Sequence, residues 1–234
     1  MRTIIFQALE FTVLIPGMLL AYLPVNSSLK QKPKKMIAWM LPLLVIISFL
    51  SGFVCNRFHL STRMILLPLL FLTFILYQAT LRISLWKSVS IYLAVCAVFS
   101  CFNSLARATS AMLSFNSEEQ AFSGFSVLYN IFCILFVILI WHPASHVVKD
   151  MVEDENLAQT WYVFWVLPVL IIGLNLVLIP KYNTILHTQR FLRGYIVIVY
   201  ALLLILALFY TMFLMMANIL NKNQKLQQEN LFLS

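Results

Sequence analysis

Charge is what this sequence has least of. Only 10% of its 234 residues are Asp, Glu, Lys or Arg, and 62% are hydrophobic. A soluble domain is nearer about a quarter charged and about half apolar. A chain of this length cannot bury so much apolar surface in one core, so the excess must face lipid. Glycine is scarce as well, at five residues, and with eight prolines this excludes a collagenous or low-complexity chain. Cysteine is limited to Cys55, Cys96, Cys101 and Cys133. No two form a CxxC pair and no histidine stands at zinc-site spacing from them, which leaves buried structural thiols. The phosphate-binding loop, the GxGxxG turn, the HExxH helix and the GxSxG elbow are all missing. No room remains for a soluble catalytic domain, and no cofactor is called for.

What is present is a series of apolar runs near the roughly 20 residues that a spanning helix needs. They cover about 3–24, 36–55, 64–81, 86–106, 121–142, 160–180 and 191–218. The expected fold is all-α: a polytopic, seven-helix transmembrane bundle over 1–218 with a helical extension over 219–234. The first run is too long for a removable signal peptide and lacks a small-residue cleavage site. Pro16-Gly17 is expected to bend or break it. Pro42, Pro68 and Pro168 are expected in the early turns of their helices, where a missing N–H matters least.

The net charge of +8 raises the question of a nucleic-acid partner. The basic residues lie between or beside the apolar runs, where they set orientation, so none is expected. The densest cluster is Lys30, Lys32, Lys34 and Lys35, next to the first helix. Placing it in the cytoplasm puts the N-terminus outside and the C-terminus inside. That arrangement also puts nine of the 16 basic residues on the inner side. Cys55 and His59, four residues apart, are the nucleophile and base a membrane cysteine protease would need at the cytoplasmic face. In this orientation they lie outside.

Glu10 is the acid within an apolar run. An ionised side chain at that depth costs about 2.5–3.5 kcal/mol on insertion scales, so Glu10 is expected to face protein or a water-filled space. Gln7 shares its helix face. Two readings stand: a ligand or coupling contact, or a carboxyl hydrogen-bonded to a neighbouring helix. Ser100, Asn103 and Arg107 share one face late in the fourth run. Arg107 is placed to snorkel to the interface; the alternative is a buried cation opposite Glu10. Asn130 and Asn175 read as interhelical hydrogen-bond glue. Trp86, Trp141, Trp161, Tyr162 and Trp165 stand at run ends, as interfacial anchors do. His142 and His146 are four apart but make an incomplete metal site, so no metal is expected. Asp150–Glu155 reads as a solvated helix extension with Val147, Val148 and Met151 on its apolar side.

Beyond the last apolar run, Met216, Ile219, Asn223, Leu226, Asn230 and Leu233 alternate at 3–4 spacing. Leucine and asparagine in such a seam favour a parallel two-stranded coil and fix its register, so a homodimer is expected. The pattern stops at Ser234 without a capping signal and reads as though the chain continued.

Residues 220–234 (LNKNQKLQQENLFLS) resemble the membrane-to-kinase linker of bacterial sensor histidine kinases with a GHKL-type ATPase domain. Residues 153–165 (EDENLAQTWYVFW), 94–107 (AVCAVFSCFNSLAR) and 141–145 (WHPAS) are similar to segments of their seven-helix sensor regions. The resemblance implies a sensor in the bacterial plasma membrane, followed by a dimerising helix, a phosphoacceptor histidine and an ATP-binding domain. Residues 1–234 contain neither the phosphoacceptor region nor the ATP box, so this stretch is not expected to phosphorylate anything itself. Related quorum-sensing receptors bind peptides, which makes an extracellular peptide or small molecule the implied ligand besides membrane lipid. A small transporter or a structural membrane subunit is the competing expectation.

Overall fold

The computed structural model describes residues 2–58, 60, 62–113, 118–153, 161–178 and 189–233. Helices dominate, as the apolar periodicity requires, because in lipid a helix satisfies its own backbone polar groups. They are α1 (Arg2–Phe11), α2 (Leu14–Tyr22), α3 (Pro33–Phe58), α4 (Thr62–Thr80), α5 (Leu85–Leu113) and α6 (Glu118–Pro143). After these come α7 (Lys149–Glu153), α8 (Trp161–Phe164), α9 (Val166–Leu178) and α10 (Gln189–Leu233). Five segments among the described residues are long and apolar enough to cross a membrane: Ile5–Tyr22, Pro33–Phe58, Leu85–Met112, Gly124–His146 and Arg193–Met212. The chain is a multi-pass helical membrane protein. Met64–Thr80 and Trp161–Val177 are apolar but shorter, so the structure supports five spans where the sequence led us to expect seven.

α5 is the axis of the bundle. Over its membrane window 56% of the residues are buried, against 22% for Arg193–Met212. It packs on α2, α4, α6, α8, α9 and α10. Its small residues Ala97, Cys101, Ser104 and Ala108 are fully buried, spaced as one helical face and letting neighbours approach closely. The outward faces of α3, α4, α6, α9 and α10 carry exposed Phe, Leu, Ile and Val, among them Phe53, Phe71, Leu139, Val177 and Leu204. In a bilayer these meet acyl chains.

Prolines shape two helices differently from expectation. The first run does break, but at Thr12-Val13, one turn before Pro16. Pro16 offers no N–H to the Thr12 carbonyl four residues back, and that carbonyl instead accepts from Ile15 at 2.9 Å. Pro42 is not in an early turn. α3 begins at Pro33, where the ring suits the first helical position, and Pro42 falls well inside it. Pro68, in the second turn of α4, stands as early as expected. Pro168 is close to a helix start, and the chain interrupts at Trp165 between α8 and α9.

One end of the bundle is laced together by polar contacts between alternate connections. Lys30 N donates to Thr80 O at 2.9 Å and Arg82 N to Ser28 O at 2.9 Å. Lys30 Nζ donates to the Ala79 carbonyl at 2.8 Å. Ser27 donates to the Glu153 carboxylate, and the Lys87 ammonium to the Val152 carbonyl. α6 runs through a wide turn at Ala144–Val148 into α7, which buries Met151 and Val152. The helical extension expected near Asp150 is therefore present as far as Glu153; residues 154 and 155 lie outside the described residues.

Candidate functional site

Among the polar side chains that tie the helices together are two asparagines. Asn175 of α9 accepts from Ser104 Oγ at 2.8 Å, and its Nδ2 donates to Ser100 Oγ at 3.2 Å and to the Ile171 carbonyl at 3.1 Å. Asn130 of α6 donates to the Leu9 carbonyl at 2.8 Å, beside the break in the first run, and accepts from Thr12 Oγ1 at 3.0 Å. Both asparagines act as the interhelical glue expected of them.

Between α1, α2, α4, α5 and α9 lies a cavity of about 420 Å³. Its polar end is lined by Glu10, Thr62, Ser100, Asn103, Arg107 and Tyr129; its opposite end by Phe74, Val89 and Tyr92. Glu10 is 7% exposed and turned inward, as its position in an apolar helix requires. Arg107 is half-buried and lies before the end of α5, which continues to Leu113. Its Nε donates to Asn103 Oδ1 at 3.0 Å, and its guanidinium carbon lies 4.2 Å from the centre of the Phe125 ring. That cation–π contact replaces part of the solvation a charge loses on entering the bundle. Asn103 also hydrogen-bonds Tyr129. The alternative of a cation near Glu10 fits, since both residues line one cavity.

Gln7 is not among the lining residues. It is half-buried, and its side-chain oxygen has no hydrogen-bond partner among the described residues. The aromatic anchors divide. Trp86 and Tyr162 are exposed and pack at 5.2 Å, as interfacial side chains do. Trp161 is 1% exposed, which overturns its reading as an anchor. It packs edge-on against Phe164, and its carbonyl accepts from Ser90 Oγ at 3.0 Å. His142 and His146 stack at 4.6 Å, with the His146 Nδ1 3.1 Å from the His142 carbonyl. The side chains of Asn223, Leu226, Asn230 and Leu233 lie outside the described residues, as does His59; the backbone of α10 is helical through Leu233.

No family of known proteins, no curated protein and no solved structure matches this chain. The geometry of its own residues therefore carries the functional reading.

Three features escaped the sequence. A Cβ added to Gly52 would lie 2.7 Å from the Ala8 backbone nitrogen, so Gly52 is where α1 and α3 touch. Its signal was the small-residue spacing Ser48, Gly52 and Cys55. Gly17, taken with Pro16 as a helix breaker, instead makes room for Phe99, 3.2 Å from where its Cβ would stand. The apolar wall that α4 gives the cavity carried no signal, because Leu66, Leu70 and Phe74 look alike facing lipid or a ligand.

Proposed function

We propose that residues 1–234 are the sensing region of a dimeric two-component sensor histidine kinase of the GHKL type, seated in a bacterial plasma membrane. On this reading the signal leaves through α10 toward a cytoplasmic output domain beyond residue 234. The observation that carries it is the continuity of α10. Its membrane segment ends near Met212, yet the helix runs unbroken to Leu233, about 32 Å farther at about 1.5 Å per residue. A rod of that kind, with Asn223, Leu226, Asn230 and Leu233 in its seam, suits transmission by rotation or sliding between two chains. Tyr195, Val199, Leu202 and Leu206 of α10 are buried, and α10 packs on α5 and α9, two helices that line the cavity. A ligand that favours one packing of α5 and α9 has a direct mechanical route to the rod.

Seven spans belong to the same proposal. Met64–Thr80 and Trp161–Val177, at 17 residues each, reach the short end of the spanning range. The connections laced together at Lys30, Arg82 and Glu153 are those that seven alternating passes would bring to one side. Glu10, Asn103 and Arg107 are the proposed ligand and coupling residues, with Gln7 beside them on α1.

The test is disulfide cross-linking of single cysteines in membranes of a host expressing the full chain. Positions 226 and 233 should cross-link between chains, and positions 225 and 228 should not. Equal cross-linking at all four would mean an unpaired tail and would remove the sensor reading. A small transporter is the second reading, favoured by the broken first helix beside a cavity with polar groups. It predicts no dimer seam in α10.

A further inference from the structure

The laced end of the bundle carries cations without counter-ions. The antiparallel pairing of Leu29 with Leu81 sets both leucines against the core and leaves their neighbours Lys30 and Arg82 exposed. Lys32, Lys34 and Lys35 follow, all exposed, as the chain enters α3. Lys30 Nζ is engaged by the Ala79 carbonyl. The side chains of Lys32, Lys34, Lys35 and Arg82 make no hydrogen bond and no ion pair among the described residues. Nearby acids are taken up elsewhere or stand off: Glu153 accepts from Ser27 and lies 3.8 Å from Lys149, and Asp150 pairs with none of the four. α3 adds to the imbalance. It has no acid in its first turn, and its lysines stand at the positive end of the helix, where cations are disfavoured. An anion from outside the chain offsets both.

The depth of these cations says where that anion comes from. Trp39 lies one turn beyond Lys35 on α3, and Trp86 four residues beyond Arg82. Both are exposed, as aromatic side chains at the level of lipid headgroups are. Below them the outward side of α3 is apolar: Ile37, Leu41 and Ile46 are exposed, while Met36, Met40 and Leu44 are buried in the core. A free phosphate would meet the cations and leave Ile37 and Leu41 bare; a phospholipid covers both. A zwitterionic headgroup would bring a further cation to a set that already lacks counter-ions, whereas a headgroup of net negative charge supplies one.

We propose that Lys32, Lys34, Lys35 and Arg82 form a surface that binds anionic phospholipids of the phosphatidylglycerol class, with phosphates against the four cations and acyl chains along Ile37, Leu41 and Ile46. The surface does not depend on the sensing role of α10.

The probes are phosphatidylglycerol and phosphatidylcholine of equal chain length, each with a photoreactive diazirine next to the glycerol backbone, added to the full chain in lipid nanodiscs. Labelled residues are located by mass spectrometry. The phosphatidylglycerol probe should mark α3 between Lys34 and Leu41 about tenfold more strongly than the phosphatidylcholine probe. Replacing Lys32, Lys34 and Lys35 together by glutamine should abolish most of that preference, and replacing them by arginine should keep it. Arg82→Gln should weaken labelling at Leu85 and Trp86. Arg57→Gln, a change to an exposed cation at the far end of α3, should leave the pattern intact. Size-exclusion profiles report whether each variant folds. If the triple glutamine variant does not fold, Lys34→Gln and Lys35→Gln take its place singly, each lowering the preference about threefold. Inorganic phosphate in excess should not displace the lipid. Equal labelling by the two lipids, or a preference that survives the glutamine variants, would overturn the proposal. Displacement by inorganic phosphate would assign the cations to a soluble anion and overturn it as well.

Discussion

A single missing methyl group decides how closely two of these helices approach. At Gly52 an added Cβ meets Ala8 backbone atoms at 2.7 and 2.8 Å, contacts that no side-chain rotation can relieve. At Gly173 it would meet nothing within 4 Å. The same substitution should therefore have opposite effects at the two sites. Gly52→Ala is expected to cost about 1–3 kcal/mol, as overpacking does. Gly173→Ala should be neutral or stabilise by up to about 1 kcal/mol, through helix propensity. Thermal unfolding of both variants in the same detergent checks the pair; equal shifts would mean that α1 and α3 are not in contact at Gly52. Glu10 and Arg107 show what single residues do reveal in a sequence. A charge in an apolar run has few places to go, so the inward direction of Glu10 was legible. For Arg107 the length of its side chain made two destinations possible, and its contact with Phe125 had no signal in the sequence.

Among the elements, the broken first helix depends on groups donated from elsewhere. The Leu9 carbonyl beside the break accepts both Asn130 Nδ2 and Thr12 Oγ1. Asn130→Leu should lower stability by about 1–2 kcal/mol, the range for interhelical polar contacts in membranes. Adding Thr12→Ala to that variant should cost less than it does alone, since the Thr12–Asn130 hydrogen bond is already lost. A double-mutant cycle in detergent measures this, and strict additivity would show that Asn130 and Thr12 act independently. Element boundaries were legible where polarity changes abruptly and illegible where it does not. The start of α3 lies at Pro33 because Lys34 and Lys35 are good helix formers that extend an apolar helix without looking apolar. α5 likewise outlasts its hydrophobic run, through Ala106, Ala108 and Ala111, and carries Arg107 with it. Hydrophobicity marks the membrane; propensity marks the helix.

For the molecule as a whole, the laced connections define one face of the bundle, and the lysine cluster within it is expected to be cytoplasmic. Single cysteines at 32 and 119, with the native thiols replaced, test this in intact cells. An impermeant maleimide should label 119 and spare 32; the reverse pattern would invert the protein. That face also bears on how α10 can move. Phe164 at the start of the sixth apolar run packs against Phe209 and Tyr210 of α10, at 5.3 and 5.5 Å between rings. From Phe209 the helix extends about 30 Å back to Gln189 and about 36 Å forward to Leu233. The aromatic contact is therefore a fulcrum set slightly off-centre on a stiff beam. A tilt that displaces the Gln189 end by some distance swings the Leu233 end the opposite way and about a fifth farther, so the Leu233 arm has the longer throw and correspondingly less force.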